Sequence, residues 1–169
     1  MIVACLDVDY REAGARAACV VIDSWTAVKP VAEYVREIED VQPYEPGNFY
    51  RRELPCLLSV LQLLPQRPDV VVVDGYVWLS SSDRPGLGAR LHAALGRCTP
   101  VVGVAKTAFA GVESSTIVVA VERGISKNPL YVTSAGIDPE VAAGWIRSMA
   151  GRSRIPDILR TADRLARSK

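Results

Sequence analysis

Residues 70–74, VVVVD, decide the fold, because four consecutive valines are followed by an aspartate and then a glycine. A continuous apolar run of this length is typical of a central strand that is buried on both faces of a sheet. Asp74 is therefore expected at the carboxyl end of that strand. Apolar residues at helical spacing over 86–97 and a second β-branched run over 100–106 follow. This order predicts a right-handed β-α-β unit.

The segments before residue 70 predict three strands and a helix. Apolar runs over 2–10 and 16–28 are separated by a short polar turn, a pattern that favours a β-hairpin. The periodicity of 31–41 fits either a strand or a helix, and the proline-rich break after it favours a third antiparallel strand. Leucines recur at helical spacing over 49–64 and stop at Pro65, which predicts a helix that packs on the sheet.

The segments after residue 106 predict two further strands and two helices. Runs rich in β-branched residues over 115–122 and 129–136 read as strands, and apolar residues at helical spacing predict helices over 139–150 and 156–168. Asp138 precedes a proline and is a good N-cap for the first of these helices.

Together these elements predict one α/β domain over residues 1–169. Three antiparallel strands come first, parallel strands follow in the same mixed sheet, and helices cover both faces. This order of elements resembles that of ribonuclease H-like domains. The chain has 169 residues, of which 49% are apolar, enough for one sizeable core. No apolar run approaches the ~20 residues of a membrane span, and Met1 leads directly into a strand, so we expect a cytoplasmic protein with no membrane partner.

Several kinds of catalytic site are excluded by residue content. The chain has one histidine, His92, and four scattered cysteines without a CxxC pair, which argues against a zinc site or a Ser-His-Asp triad. No glycine-rich phosphate loop and no Gly-x-Ser-x-Gly elbow occur. A net charge of +1 does not select a partner. Any catalysis must therefore rely on carboxylates.

Two aspartates stand out because each follows a buried strand. Asp7 and Asp74 would repel each other at neighbouring strand ends unless a cation lay between them. Oxygen ligands favour Mg²⁺ or Mn²⁺ over zinc. The alternative is that each aspartate caps a loop or pairs with an arginine, and position alone does not separate the two. Glu53, early in the predicted helix, is by itself adequately explained by the helix dipole.

Five ordered motifs together resemble the endonuclease V family. They are Asp7 in LDVDY, Tyr44-Glu45-Pro46-Gly47 through Arg52-Glu53, Val73-Asp74-Gly75, Gly103-Val104-Ala105-Lys106, and Pro129-Leu130-Tyr131-Val132. The closing Ala162-Asp163-Arg164-Leu165 extends the resemblance.

The resemblance implies a ribonuclease H-like enzyme that recognises deaminated purines, chiefly hypoxanthine. Such an enzyme hydrolyses the second phosphodiester bond on the 3′ side of the lesion with Mg²⁺, for which Mn²⁺ can substitute, and leaves a 5′-phosphate. Asp7, Glu53 and Asp74 match the metal-binding carboxylates, and Lys106 matches a lysine near the scissile phosphate. The expected partner is DNA or RNA containing deaminated bases, bound by a monomer in nucleic-acid repair.

The resemblance also implies residues that contact nucleic acid. Tyr44, with Pro46 and Gly47, matches a rigid turn whose aromatic ring fills the gap when a base leaves the stack. Gly75 and Gly136 would let the backbone approach the extruded base. Without the resemblance, Tyr44 would be an ordinary surface tyrosine and each glycine a turn residue.

The chain departs from the family pattern at two places. Ile137 stands where relatives often carry a histidine or acid, and Asp138 either substitutes for it or only caps the next helix. The loop after Asp74 lacks the Gly-x-x-His-Pro-Arg pattern and has Asp83-Arg84-Pro85 instead. His92 lies between leucines at helical spacing, which favours a packing role. These departures leave an alternative open, a ribonuclease H-like protein that binds nucleic acid without cutting it.

Overall fold

The computed structural model describes residues 1–80, 84–109 and 116–169. Within these residues the chain forms one seven-stranded sheet and four helices. The strands are β1 (Val3–Tyr10), β2 (Ala15–Ile22), β3 (Ala32–Ile38), β4 (Val70–Asp74), β5 (Val101–Ala105), β6 (Val119–Val121) and β7 (Leu130–Ala135). The helices are α1 (Phe49–Leu61), α2 (Leu87–Ala94), α3 (Pro139–Ser148) and α4 (Asp157–Arg167).

The sheet is mixed, as predicted, and its order is β3-β2-β1-β4-β5-β7-β6. β1, β2 and β3 pair antiparallel, whereas β4 pairs parallel with both β1 and β5. The ambiguous segment after residue 31 is a strand. One detail of the prediction is wrong, because β7 runs antiparallel to β5 and β6 antiparallel to β7.

Helices cover both faces of the sheet, as predicted. On one face α1 and α2 pack on alternate residues of the central strands through buried side chains such as Leu57, Val60 and Leu91. On the other face α3 and α4 contribute Ile146 and Ile158 to a second core. The valines of β4 divide between the two cores, Val71 and Val73 facing one and Val70 and Val72 the other. This division explains why the run is apolar without alternation.

Several elements are shorter than their predicted ranges. The second strand ends at Ile22 rather than 28, because Ser24 and Thr26 form a hydrogen-bonded turn after it. Helix α1 ends at Leu61, three residues before the predicted end. The strand predicted over 115–122 is reduced to β6, and its first residue lies outside the described part of the chain, as does Asp83 of the loop after β4.

Candidate active site

Asp7 and Asp74 lie side by side because β1 and β4 are parallel neighbours. Leu6 pairs with Val73, so the next residue of each strand is an aspartate at the same edge of the sheet. Glu53 reaches this edge from the second turn of α1. All three side chains line one open pocket of about 400 Å³, together with Tyr10 and Phe49. We call it the carboxylate pocket.

Two acids of the carboxylate pocket, Glu53 and Asp7, lie in surroundings that disfavour their charged forms. Glu53 is 6% exposed, and its Oε2 is buried without a hydrogen-bond partner. Burial, followed by the charges of Asp7 and Asp74, raises the pKa of Glu53 to about 8. Burial is also the main cause that raises the pKa of Asp7 to about 6, against a hydrogen bond from the Val8 amide. The pocket therefore carries more negative charge than its surroundings balance.

Lys106 balances part of that charge. It follows the last residue of β5, the strand beside β4, and its Nζ donates to Asp74 Oδ2 over 2.5 Å. Burial lowers the pKa of Lys106, but the hydrogen bond and charge of Asp74, with Asp7 and Asp163, outweigh it, so the pKa is raised. Lys106 is a charged donor in an adjoining pocket, which shares Asp7, Asp74 and Asp163 with the carboxylate pocket.

Two arginines hold the backbone around Lys106. The guanidinium of Arg154 donates to the carbonyl oxygen of Lys106 and, over 2.8 Å, to that of Pro129. The buried Arg123 in turn donates to the carbonyls of the loop before α4, namely those of Met149, Gly151 and Ser153. This network ties the end of β5, the start of β7 and the approach to α4 into one unit.

Besides Asp9, which is paired with Arg11, the carboxylate pocket is lined by a fourth acid that was not among the predicted site residues. Asp163 of α4 lines it, its charge contributes to the raised pKa of Asp7, and it forms an ion pair with Arg167 at 2.9 Å. Its sequence signal was the closing Ala162-Asp163-Arg164-Leu165 motif. A basic helix face alone gave no reason to place Asp163 at a site, because solvated faces are commoner.

The segment around Ile137 does not supply this fourth group. Ile137 packs against the apolar core on the α3 and α4 face. Asp138 accepts hydrogen bonds from the amides of Glu140 and Val141 and so caps α3. Of the two roles considered for Asp138, the structure shows the capping one.

The turn before α1 presents the predicted wedge to solvent. Tyr44 is 61% exposed, and Pro46 and Gly47 beside it are exposed as well. Glu45 closes the turn by accepting from Asn48 Nδ2 at 2.8 Å and pairing with Arg51 at 3.0 Å. The wedge is therefore a braced turn with a projecting ring.

The two predicted base-contact glycines do not share a pocket. Gly75 lines the carboxylate pocket with φ +115°, which suits a glycine, and a Cβ added there would meet open space. Gly136 is far from it because β7 is antiparallel: Ala135 pairs with Val101, whereas Asp74 pairs with Val104. Val101 and Val104 are three residues apart on β5, so Ala135 and Asp74 lie about 10 Å apart along the strand direction.

The donor atoms of the carboxylate pocket fit a hard dication. They are carboxylate oxygens, and one of them, Glu53 Oε2, is buried and unsatisfied. Across the described ranges, no three side chains among His, Cys, Asp and Glu form a ligand group that could already hold an ion.

Comparison with known proteins gives a consistent result. The family model described as Endonuclease V matches residues 1–164. The endonuclease V of Xanthomonas oryzae pv. oryzae is 31% identical over 179 aligned positions, which cover 95% of this chain and 74% of the relative. No helix in the part of the chain that the structure describes is long and apolar enough to cross a membrane.

Solved structures share the fold. The crystal structure of endonuclease V from Streptomyces avermitilis superposes with a TM-score of 0.79 at 28% identity, covering 99% of this chain and 80% of that one. Endonuclease V from Ciona intestinalis, crystallised with a 24mer DNA containing an inosine followed by a ribo-adenosine, superposes with a TM-score of 0.83 at 20% identity, covering 98% and 84%. The predicted ribonuclease H-like sheet is confirmed.

Proposed function

Since the chain belongs to the endonuclease V family, a family of metal-dependent nucleases, we propose that it hydrolyses a phosphodiester bond on the 3′ side of deaminated purines, chiefly hypoxanthine, in DNA or RNA. The expected cut is at the second bond from the lesion, with a 5′-phosphate on the product. The complex of the Ciona relative with a DNA that contains an inosine supports this substrate class.

One observation carries the proposal: five acids line the carboxylate pocket, and four of them, all except the Asp9 that is paired with Arg11, converge on it. Asp7, Glu53, Asp74 and Asp163 come from two strands and two helices, and all line the carboxylate pocket. Repulsion among them would be unfavourable unless the folded protein bound a cation there. We assign Asp7, Glu53 and Asp74 as the principal ligands of that cation and Asp163 as a further oxygen donor.

The oxygen set favours Mg²⁺, with Mn²⁺ as a substitute. When bound, such an ion polarises a phosphoryl oxygen and lowers the pKa of water. Asp74 and Asp163 would hold the ion with their carboxylate oxygens. Lys106, which donates to Asp74, would offset the negative charge that develops on the scissile phosphate.

We assign selection of the lesion to Gly75, which lines the carboxylate pocket, and to the turn before α1, the helix whose Phe49 and Glu53 line it. Tyr44 fills the gap left when the lesion leaves the stack, and Pro46 and Gly47 set the turn that presents it. Gly75 allows the backbone to approach the extruded base without steric conflict. Gly136 is not assigned to base contact, because it lies toward the ends of the strands that are opposite to the carboxylate pocket.

A panel of labelled oligonucleotides tests the proposal. DNA and RNA strands containing inosine, uracil, an abasic site, a mismatch or no lesion are incubated with the protein and Mg²⁺, Mn²⁺ or Ca²⁺. We expect one cut 3′ of inosine with Mg²⁺ or Mn²⁺, and binding without cutting with Ca²⁺. The product's 5′-phosphate is checked by its susceptibility to a 5′-phosphate-dependent exonuclease.

The variant Asp7→Asn controls for contaminating nucleases, because it retains the shape of the side chain while removing its charge. Its folding is checked by thermal unfolding. An inosine strand that remains uncut at an excess of wild-type protein contradicts the proposal. Binding that is indifferent to Asp7→Asn, with no cleavage, identifies a binding protein instead.

A further inference from the structure

A second cleft lies between α2 and the end of β7, toward the ends of the strands that are opposite to the carboxylate pocket. Its volume is about 670 Å³, and its lining includes Trp78, Pro85, Arg90, His92, Arg97 and Gly136. We call it the α2 cleft. None of its lining residues is shared with the carboxylate pocket.

Among the residues that the structure describes, the lining of the α2 cleft includes Arg90 and Arg97 and no acid. The sequence contains no aspartate or glutamate between Asp83 and Glu113, while Arg84, Arg90 and Arg97 fall in that interval. Among the described residues, none of these three arginines forms an ion pair with an acid, and two of them, Arg90 and Arg97, line the α2 cleft. The charge of the α2 cleft is therefore available to an external anion.

Arg97 occupies a backbone position that does not suit arginine. Its φ is +58°, and no other non-glycine residue among those described has a positive φ. It is exposed, and its amide donates to the carbonyl of His92 to close the end of α2. A glycine or asparagine would adopt this conformation at lower cost. A strained backbone at an exposed, positively charged side chain indicates that the side chain contacts a ligand.

The other polar groups of the α2 cleft are held in place. Arg90 stacks on the ring of Tyr50 with 3.4 Å between its guanidinium carbon and the ring centroid. Trp78 donates through Nε1 to the carbonyl of Ser134 over 2.9 Å. His92 Nδ1 is 2.9 Å from the Thr99 carbonyl, so it carries the proton and donates. A planar indole beside fixed cations is the combination that binds a nucleic-acid strand.

The position of the α2 cleft fits a strand that already occupies the carboxylate pocket. Trp78 is four residues after Asp74. Ala135, which directly precedes Gly136, lies about 10 Å from Asp74 along the strand direction. Tyr50, on which Arg90 stacks, belongs to the first turn of α1, directly after the braced turn of Tyr44. Arg90 thus connects the first turn of α1 with the α2 cleft.

Building on the proposed endonuclease function, we propose that the α2 cleft binds the sugar-phosphate backbone of the substrate strand several nucleotides from the bond that is cut. Arg97 and Arg90 contact phosphates, and Trp78 stacks with a base or sugar. The contact is independent of the lesion, because phosphates carry no sequence information. It lengthens the bound segment beyond the nucleotides at the carboxylate pocket.

Fluorescence anisotropy with single-stranded inosine oligonucleotides of two lengths, about six and about sixteen nucleotides, tests this proposal in EDTA. Wild-type protein should bind the longer strand more tightly. The variant Arg97→Gly, which fits the positive φ and so should fold, is expected to lose most of this gain. One phosphate contact changes the salt slope by about 0.7, equivalent to about fivefold in affinity at roughly 0.1 M salt. Arg97→Glu should weaken binding of the longer strand further.

Arg147→Ala is the matched control, since it removes one positive charge from α3, on the other face of the sheet. It should retain the full gain with length and the full salt slope. Equal affinity of wild-type protein for both lengths, or an unchanged length effect and salt slope in Arg97→Gly, would overturn the role of the α2 cleft. Failure of the wild-type protein to cut any inosine strand with Mg²⁺ instead contradicts the endonuclease function, so the two failures are distinguishable.

Discussion

Lys106 Nζ lies 2.5 Å from Asp74 Oδ2, at the ends of two neighbouring parallel strands. The pair is not fully buried, since 42% and 39% of the two side chains are exposed. An ion pair of this exposure adds little to stability because solvent screens it. The pair is therefore significant for its position. Lys106 is a charged donor held against Asp74, a carboxylate that we assign as a metal ligand.

Replacing Lys106 with methionine should reduce cleavage of inosine strands by about 10²- to 10³-fold, the usual effect of removing one donor from a developing negative charge. Thermal stability should change little. Single-turnover rates with Mg²⁺ measure the effect. Lys127→Met, at an exposed loop lysine, serves as the control and should cut at the wild-type rate. A Lys106→Met rate within about threefold of wild type would remove Lys106 from the mechanism.

Arg154 should act through Lys106, because its guanidinium holds the carbonyls of Lys106 and Pro129. We expect Arg154→Ala to lower kcat about 10- to 100-fold, since a small misplacement of a catalytic group is costly, while KM stays near wild type. Arg154→Lys should recover part of the rate because an ammonium can still donate to one carbonyl. The exposed Arg152→Ala is the control. A fall in unfolding temperature without a change in kcat would show a structural role only.

Asp163 should contribute to metal affinity, although it was absent from the predicted ligands. Asp163→Asn is expected to weaken Mn²⁺ binding about tenfold or more, because it removes one charged oxygen from the carboxylate pocket. Isothermal titration calorimetry measures this without substrate. Asp157→Asn, in the first turn of the same helix and paired with Arg160, is the control with the same charge change. Equal Mn²⁺ affinity in both variants would place Asp163 outside the ligand set.

Most of the carboxylate pocket could be predicted because it depends on chain direction. Acids that follow parallel neighbouring strands must meet at one edge, so Asp7 and Asp74 followed from the strand pattern once β1 and β4 were neighbours. Glu53 required the family resemblance, since an acid early in a helix is already explained by the dipole. The fold class followed in the same way from the order of elements.

The positions of Asp163 and Gly136 depend on tertiary structure that the sequence pattern does not show. The direction of β7 is not encoded in its own residues, and it decides at which ends of the strands Gly136 lies. The expectation that Gly136 contacts the base came from the family resemblance, and in the structure Gly136 lines the α2 cleft. Asp163 sits on an amphipathic helix whose charged face looks solvated in sequence. Only the packing of α4 on β1 and β2 brings that face to the acids.

The raised pKa of Glu53, about 8 against an ordinary value of 4.5, makes stability depend on pH when no metal is bound. The folded state binds this proton more tightly than the unfolded chain, so the stabilisation is complete below pH ~4 and is lost as the pH rises through about 8. Asp7 adds a similar loss up to about pH 6. In EDTA the unfolding temperature should therefore fall between pH 5 and about 9.

Glu53→Gln isolates the contribution of this carboxyl, because an amide does not titrate. Relative to wild type, the variant should gain stability with rising pH, by an amount on the order of a few kcal/mol in EDTA. Mg²⁺ should stabilise the wild-type protein most at high pH and the variant less. Parallel unfolding profiles of the two proteins in EDTA across this range would mean that Glu53 ionises as a solvated glutamate does.

Tyr44 should matter for cleavage of substrates whose bases are stacked, and it should not matter for folding of the protein. Because its ring is 61% exposed, Tyr44→Ala should change the free energy of unfolding by at most about 0.5 kcal/mol. Loss of a stacking ring is worth about 1–3 kcal/mol, so cleavage of inosine in a duplex should fall about 10- to 100-fold. Tyr44→Phe retains the ring and should remain near the wild-type rate. In a flexible single strand there is no base stack with a gap to fill, so Tyr44→Ala should reduce the cleavage rate less on that substrate. An equal reduction on duplex and single strand would contradict the wedge role.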